Sequence, residues 1–284
     1  MTERRFRAFR ALLAEDDWDF AMMVEMGPDR IHHAFWRFID PAHRLYEAGN
    51  EFEDVVREYY VQMDAEIGRT LEVLPPATSV IVVSDHGAKR MVGAVAINEF
   101  LIREGYLTLK SYPDAPTRLT PAMVDWSRTR AWGDGGYYAR VFLNIRGREP
   151  NGQIDPADVA REKQVLKAKL EAFGDANGNP IGTRVFFPED VYKECRGVPP
   201  DMIVYLGNLD WRSAGTVGNG RVHLFENDTG PDDANHAPEG VFIWHNRGKS
   251  PAGSTERISI YDVAPSILDF YSITPPADMI GRPL

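Results

Sequence analysis

The 284-residue chain contains a single cysteine, Cys195, so an internal disulfide is excluded. A chain without disulfides suits a reducing compartment, and we expect a cytoplasmic location. The sequence also lacks an apolar run long enough to span a bilayer. The basic residues that follow Met1 are not succeeded by an apolar stretch, which argues against a secretion signal. We therefore expect no membrane partner.

Excess positive charge is also missing. The chain has 32 Lys and Arg against 42 Asp and Glu, which gives a formal net charge of -10. A general nucleic-acid binder needs a basic face to neutralise phosphates, so we expect no nucleic-acid polymer as partner. An acidic enzyme can still bind a small phosphate ester where bound metal ions reverse the local field.

The hydrophobic fraction of 43% is that of a globular protein with a large core. Apolar runs alternate with helical patterns, and this alternation predicts an α/β fold with a mostly parallel, doubly wound sheet sandwiched by helices. The all-apolar run Ser79-Val-Ile-Val-Val-Ser84 favours a parallel strand covered on both faces. The other predicted elements are strands over 18–26, 201–206 and 240–244 and helices over 3–14, 29–38, 51–74, 96–104, 156–173 and 260–271.

Turn signals crowd the middle of the chain, where Gly, Pro, Asn and Asp cluster between residues 106 and 200. This change in composition predicts an inserted smaller lobe, or a set of elaborated connections, over 106–200. The predicted core is then formed by residues 1–105 and 201–284.

The first candidate site motif is Asp29-x3-His33 at the start of a predicted helix. A spacing of four residues places both side chains on one helical face, with their Cβ atoms about 5–6 Å apart, so that both can bind one ion. The competing interpretation is that Asp29 caps the helix while His33 packs or faces solvent.

The second motif, Asp85-His86-Gly87, follows the valine-rich strand. Ligand sites of open α/β sheets lie at the carboxyl ends of strands, and Gly87 would allow the sharp turn that directs two adjacent side chains to one metal. The alternative is an aspartate that caps a turn beside an incidental histidine.

His236 ends a polar loop and precedes a predicted strand, which by itself is a weak signal. Lys89 and Arg90 follow His86 closely enough to contact a substrate phosphate, although a surface loop is the favoured explanation. Carboxylate oxygens and imidazole nitrogens suit Zn²⁺ and related ions such as Mn²⁺. Two such ions can bind the attacking and leaving oxygens of a phosphoryl transfer.

The three motifs, in this order along the chain, resemble those of the alkaline phosphatase superfamily. The sequence is most similar to the branch of the type I phosphodiesterases/nucleotide pyrophosphatases and their predicted phosphohydrolase relatives. The resembling segments are Glu25-Met-Gly-Pro-Asp29-Arg-Ile-His-His33, Val83-Ser-Asp85-His86-Gly87 and His236-Ala-Pro-Glu-Gly240-Val-Phe. The resemblance implies one divalent metal bound by Asp29, His33 and His236, and a second bound by Asp85 and His86.

The resemblance also implies a Thr or Ser nucleophile that binds the second metal and lies well before the Asp-x3-His motif. Only 28 residues precede Asp29, and Thr2 is the sole hydroxyl residue among them. We therefore expect the chain to correspond to the carboxyl-terminal part of such an enzyme, as a truncated product or one piece of a split protein. Its expected partners are a small phosphate ester and either the missing amino-terminal half or a second copy.

The predicted function is metal-dependent hydrolysis or transfer of phosphate esters, with phosphodiesters and phosphomonoesters as the substrate class. The alternative is a catalytically incomplete or non-catalytic metal-binding or interaction domain.

Overall fold

The computed structural model describes residues 1–15, 17–225, 230, 232–245 and 257–284. Its helices are α1 (Thr2–Glu15), α2 (Gly27–Ile39), α3 (Val55–Val73), α4 (Ile97–Arg103), α5 (Val159–Glu171), α6 (Pro188–Val191) and α7 (Ile260–Phe270). Short 3₁₀ segments cover Pro121–Met123, Pro156–Asp158 and Leu206–Leu209.

The strands are short. They are β1 (Val80–Val83), β2 (Gly87–Arg90), β3 (Gly93–Ala96), β4 (Thr117–Arg118), β5 (Ala131–Asp134), β6 (Ala139–Leu143), β7 (Arg184–Phe186), β8 (Met202–Tyr205), β9 (Trp211–Ala214), β10 (Thr216–Val217), β11 (His223–Leu224), β12 (Ala234–Ala237) and β13 (Phe242–His245). They form a four-stranded sheet β5-β6-β8-β7, a three-stranded sheet β11-β3-β9 and the pairs β1-β13, β10-β4 and β12-β2.

The chain divides into two compact units. The first contains Met1–Arg69 and Ala88–Ala237, and the second contains Thr70–Gly87 and Pro238–Leu284. The prediction of a separate lobe over 106–200 is not tested by this division and stays a prediction.

The core of the first unit lies between the four-stranded sheet and helices α4 and α5. Side chains of β6 alternate, so that Val141 and Leu143 are fully buried while Phe142 lies on the opposite face. Leu166 and Leu170 of α5 are four residues apart on one helical face, and both are buried in the same hydrophobic cluster.

The second unit is built on the antiparallel pair of β1 and β13 and on helix α7. Ser259 begins α7 with a capping box in which its side chain and Asp262 satisfy each other's backbone N–H groups. The backbone N–H of Val241 donates to Ser84 Oγ at 2.8 Å. A Cβ at Gly240 would lie 2.3 Å from that oxygen, which explains why glycine precedes β13.

The predicted helices are confirmed, with shifts of a few residues at their ends, and so are the strands predicted over 79–84, 201–206 and 240–244. The expectation that β1 is a parallel strand covered on both faces is wrong. β1 pairs antiparallel with β13, and the side chain of Val83 is 42% exposed.

The mostly parallel sheet is likewise not confirmed. The fold is mixed α/β, and among the strand pairings whose register the structure describes, β3-β9 is parallel and the others are antiparallel. Apolar runs indicate burial, whereas the direction of a strand depends on which distant segment supplies its partner, so composition did not predict it.

The buried strand predicted over 18–26 is also wrong. This segment carries no assigned strand, and its apolar side chains are exposed at alternate positions, from Phe20 (55%) and Met22 (73%) to Val24 (65%). The period-two spacing of an extended chain is present, but a β-strand also requires a ladder partner.

Candidate metal centre

Helix α2 positions the first two candidate ligands. Glu25 Oε1 accepts a hydrogen bond from the backbone N–H of Gly27 at 2.8 Å, and Pro28 occupies the first turn, where its missing N–H costs no helical bond. Asp29 follows in the same turn and His33 comes one turn later. His33 Nε2 lies 3.2 Å from Asp29 Oδ1, as the spacing of four residues predicts.

The third candidate, His236, reaches Asp29 from strand β12. Its Nε2 lies 3.7 Å from Asp29 Oδ1, and its ring centroid is 5.4 Å from that of His33. The same carboxylate oxygen therefore faces both imidazoles. The structure thus brings together Asp29, His33 and His236, which are 207 positions apart in the sequence at their extremes.

An aspartate that the sequence analysis did not select completes this cluster. His33 Nδ1 lies 2.7 Å from Asp232 Oδ1, and Arg212 Nη1 lies 3.5 Å from Asp232 Oδ2. The neighbouring Asp233 accepts hydrogen bonds from Arg37 of α2 at 2.5 and 2.8 Å, and its N–H donates to the His33 carbonyl. The only sequence signal for Asp232 was its position four residues before His236. Polar loops contain many acidic residues, so this position did not single it out.

Tyr137 packs against both imidazoles. Its ring centroid lies 5.1 Å from that of His33 and 4.3 Å from that of His236. The Arg212 guanidinium lies 5.7 Å from the same ring. The tyrosine therefore limits the orientations that both histidines can adopt, and it shields them partly from solvent.

The electrostatics of the cluster favour positive charge. Burial lowers the pKa of the His33 imidazole, but the hydrogen bond with Asp232 and the negative charges of Asp232 and Asp29 outweigh it. The pKa of His33 is therefore raised above its usual value of 6.5. The carboxylates of Asp232 and Asp29 that favour the protonated imidazole would also favour a bound cation.

The second pair of candidates lies in the second unit, directly after β1. His86 Nδ1 lies 2.9 Å from the Gly87 carbonyl oxygen, and His86 Nε2 lies 3.7 Å from Asp85 Oδ2. An Nδ1–H group that donates to a backbone carbonyl fixes the orientation of the imidazole ring. The Asp85 side chain is 86% exposed.

Lys89 and Arg90, the candidate phosphate contacts, have acidic neighbours of their own. Lys89 Nζ lies 2.5 Å from Asp210 Oδ1 and donates to the Asn208 carbonyl at 3.2 Å. Arg90 Nη1 lies 3.7 Å from Asp40 Oδ2. A role in phosphate binding stays a prediction for both.

Residues 2–232 match the family model described as Type I phosphodiesterase / nucleotide pyrophosphatase. The chain belongs to this family. The matched range contains Asp29, His33, Asp85 and His86, and it ends at Asp232, four residues before His236. The resemblance drawn from the motifs is thereby confirmed. A search of curated proteins found no match.

The type I phosphodiesterase/nucleotide pyrophosphatase family consists of phosphoric ester hydrolases.

Among the residues that the structure describes, no helix combines the length and apolarity needed to cross a membrane.

The donor set of the first unit fits a divalent metal of this phosphodiesterase family. It combines one carboxylate and two imidazoles, which is a common ligand set of catalytic zinc sites. Because His33 Nδ1 contacts Asp232, Nε2 of that ring, on the side of Asp29, is the nitrogen that could bind a metal ion. Carboxylate–histidine pairs of this kind orient metal ligands and raise their basicity.

Proposed function

We propose that this chain is a metal-dependent phosphoesterase that acts on small phosphate esters. The observation that supports this most directly is the position of Asp29 Oδ1, which lies 3.2 Å from His33 Nε2 and 3.7 Å from His236 Nε2. Asp29, His33 and His236 are the proposed ligands of one divalent ion, with Zn²⁺ or Mn²⁺ as the candidates.

Asp85 and His86 of the second unit are the proposed ligands of a second ion. The contact between His86 Nδ1 and the Gly87 carbonyl supports this assignment, since a hydrogen bond of this kind orients the ring of a metal-binding histidine. The placement of both residues directly after β1, in a segment that the family model matches, is consistent with it.

Bound divalent ions supply Lewis acidity and charge neutralisation to a phosphoryl group. The residues of this chain have three further roles in the proposed site. Asp232 holds His33 in one tautomer and orientation, and Arg212 offsets the negative charge of Asp232. Tyr137 packs against both histidine rings and excludes water from one side of the cluster.

The overall charge of the chain suits a small substrate. A net charge of -10 disfavours a long polyanion, whereas a single phosphate ester meets only the local field of the metal centre. The proposed substrates are therefore phosphodiesters and phosphomonoesters of low molecular mass.

Metal content and turnover test this proposal together. The purified chain should retain Zn²⁺ or Mn²⁺ after dialysis, and hydrolysis of bis(4-nitrophenyl) phosphate measures whether it turns over substrate by itself. Asp29→Asn and His236→Gln should each lose both the metal of the first unit and the turnover. His32→Gln is the matched control, because His32 neighbours His33 on α2 but its ring packs against Trp36 and Tyr60.

Two results would contradict the proposal in different ways. Metal retained without turnover favours the alternative of a metal-binding domain that is not catalytic by itself. A chain that binds no divalent metal, or that loses none in Asp29→Asn, contradicts the assigned ligands.

A further inference from the structure

Residues 20–25 of the first unit form an extended segment that takes part in none of the strand pairings the structure describes. The side chains of Phe20, Met22 and Val24 are exposed, and the residues between them are half-buried. This period of two is that of a β-strand with one face on the protein and the other outward. The outward face of this segment is apolar.

The two edges of the segment differ. In an extended chain the backbone groups of successive residues point to opposite edges. The Val24 carbonyl accepts a hydrogen bond from Arg5 Nη1 at 3.1 Å, so a side chain of α1 obstructs the edge to which Val24 points. The other edge carries the N–H and C=O groups of Ala21 and Met23, for which the described part of the chain provides no hydrogen-bond partner. One edge of the segment is therefore open.

An open edge of this kind selects a strand as its partner. A row of unpaired N–H and C=O groups is a template for a further strand, whereas a helix uses its backbone groups internally. Because Arg5 obstructs the opposite edge, pairing between identical segments ends after two strands and does not propagate into a fibre.

Helix α1 runs beside the segment in the opposite direction. Near the start of α1, Arg5 contacts the Val24 carbonyl, and its Nη1 lies 3.2 Å from Glu25 Oε2. Near the end of α1, the Leu13 carbonyl accepts a hydrogen bond from Trp18 Nε1 at 3.1 Å. The start of α1 therefore lies at the carboxyl end of the segment, and the end of α1 lies at its amino end.

Charges of opposite sign mark these two ends. At the carboxyl end of the segment, α1 presents the exposed Arg4 and Arg7 against the single carboxylate of Glu3. The amino end of the segment carries three exposed carboxylates, those of Glu15, Asp17 and Asp19. A twofold axis reverses the direction of the segment, so the basic end of one copy meets the acidic end of the other. The surface is therefore complementary to itself in charge as well as in backbone pairing.

The same residues select the register of the pairing. With the axis at Met23, Met22 of one copy lies directly opposite Val24 of the other, and both side chains lie on the outward face. An axis at Met22 would place Asp19 opposite Glu25, which brings two carboxylates together. An axis at Val24 would require the first residues of α2, whose backbone is helical.

We infer that residues 20–25 pair antiparallel with the same segment of a second copy of this chain, about a twofold axis at Met23. One pair of short strands is at the small end of specific interfaces, so the dimer is weak and depends on concentration. The inference does not rest on the proposed function, because none of the proposed metal ligands takes part in the pairing.

Sedimentation velocity over a range of protein concentrations tests the dimer, and two double variants test its register. Met22→Lys with Val24→Lys places like charges opposite each other twice, and we expect it to weaken dimerisation by about tenfold or more. Met22→Lys with Val24→Glu places opposite charges at the same positions, and we expect it to dimerise at least about fivefold more tightly than the double-lysine variant. Both side chains are exposed, so neither change disturbs the packed core.

General charge repulsion cannot produce this pattern. The double-lysine variant reduces the excess negative charge of a chain whose net charge is -10, so general repulsion between copies decreases in that variant. Val165→Lys is the matched control, because Val165 is also an exposed apolar residue of the first unit but belongs to α5. It should leave dimerisation unchanged.

Hydrogen–deuterium exchange locates the contact. In wild type, the amides of residues 20–25 should exchange more slowly as protein concentration rises, and this protection should be absent from the double-lysine variant. Circular dichroism checks that each variant keeps its helical content.

The outcomes decide the inference without any measurement of metal or turnover. A chain that stays monomeric at every concentration, or a dimer that the double-lysine change leaves intact, overturns it. If the lysine–glutamate variant dimerises as weakly as the double-lysine variant, the antiparallel register is wrong. Dimerisation with the expected pattern in chelator-treated protein supports the inference even if the chain binds no metal.

Discussion

His33 Nδ1 lies 2.7 Å from Asp232 Oδ1, although the two residues are 199 positions apart in the sequence. This contact ties the Asp-x3-His helix to the segment that leads into β12 and His236. It also selects which nitrogen of His33 faces Asp29. The candidate centre therefore depends on Asp232, which acts through His33 and has no contact with Asp29 among the described residues.

We predict that Asp232→Asn weakens metal binding about 10- to 100-fold without removing a ligand, because carboxylates that orient a metal-bound histidine contribute effects of this size. Affinity would be measured by competition with a chromogenic chelator. Asp210→Asn is the control, since Asp210 pairs with Lys89 instead. Unchanged affinity in Asp232→Asn would show that the contact does not orient a ligand.

The raised pKa of His33 predicts a specific pH dependence of the metal-free chain. A group whose folded pKa lies above its unfolded value stabilises the fold fully below the unfolded pKa, here about 6.5, and the contribution is lost as pH rises through the folded pKa. The difference in free energy of unfolding between wild type and His33→Gln should therefore shrink between pH 6 and pH 9. Urea unfolding of chelator-treated protein at both pH values measures it.

The affinity of the chain for metal should change with pH in the opposite direction to the stabilisation by His33. Protons compete with the cation for His33, so metal affinity should increase as pH rises through the same range.

In the metal-free experiment, the comparison of wild type with His33→Gln cancels the contributions of His32 and His43 to the pH dependence. The pKa values of both histidines are lowered, in both cases chiefly by burial. A difference that grows with pH in the metal-free protein would contradict the assigned cause.

We predict that Gly27→Ala destabilises the chain by about 1–3 kcal/mol and lowers metal affinity. The added Cβ would lie 1.6 Å from Tyr59 Oη, so Tyr59 or the start of α2 must move, and Asp29 is two residues away. Urea unfolding and chelator competition would measure both effects. Adding Tyr59→Leu should restore part of the loss in a double-mutant cycle. Purely additive effects would mean that the clash is relieved elsewhere.

We predict that Asn98→Leu lowers the free energy of unfolding by on the order of 2–4 kcal/mol, because it leaves buried backbone groups of Gly133 and Gly215 without their partner. Asn177→Leu, in an exposed turn, is the control and should change stability by less than about 0.5 kcal/mol. Equal losses in the two variants would contradict the role of Asn98.

Local patterns predicted much of the helical structure. The period of apolar residues and the proline and glycine boundaries predicted α2, α3, α5 and α7, because helix formation depends on neighbours within four residues. The same locality makes the contact between Asp29 and His33 predictable, since a spacing of one turn sets their separation.

Strand organisation was predicted less well, for the opposite reason. The run Ser79–Ser84 does form a strand, but its partner β13 begins about 160 positions later and runs antiparallel to it. The segment 18–26 has the composition of a strand, yet its alternate side chains from Phe20 to Val24 are exposed. A ladder needs a second strand, and the composition of one segment does not contain that information.

The amino-acid sequence alone thus determined the residue types of the candidate ligands and the one-turn spacing that pairs Asp29 with His33. Tertiary structure decided which distant groups join them, namely His236 from β12, Asp232 beside His33 and the ring of Tyr137. These contacts join segments tens to hundreds of residues apart, and packing of the whole core, not any local pattern, sets their distances.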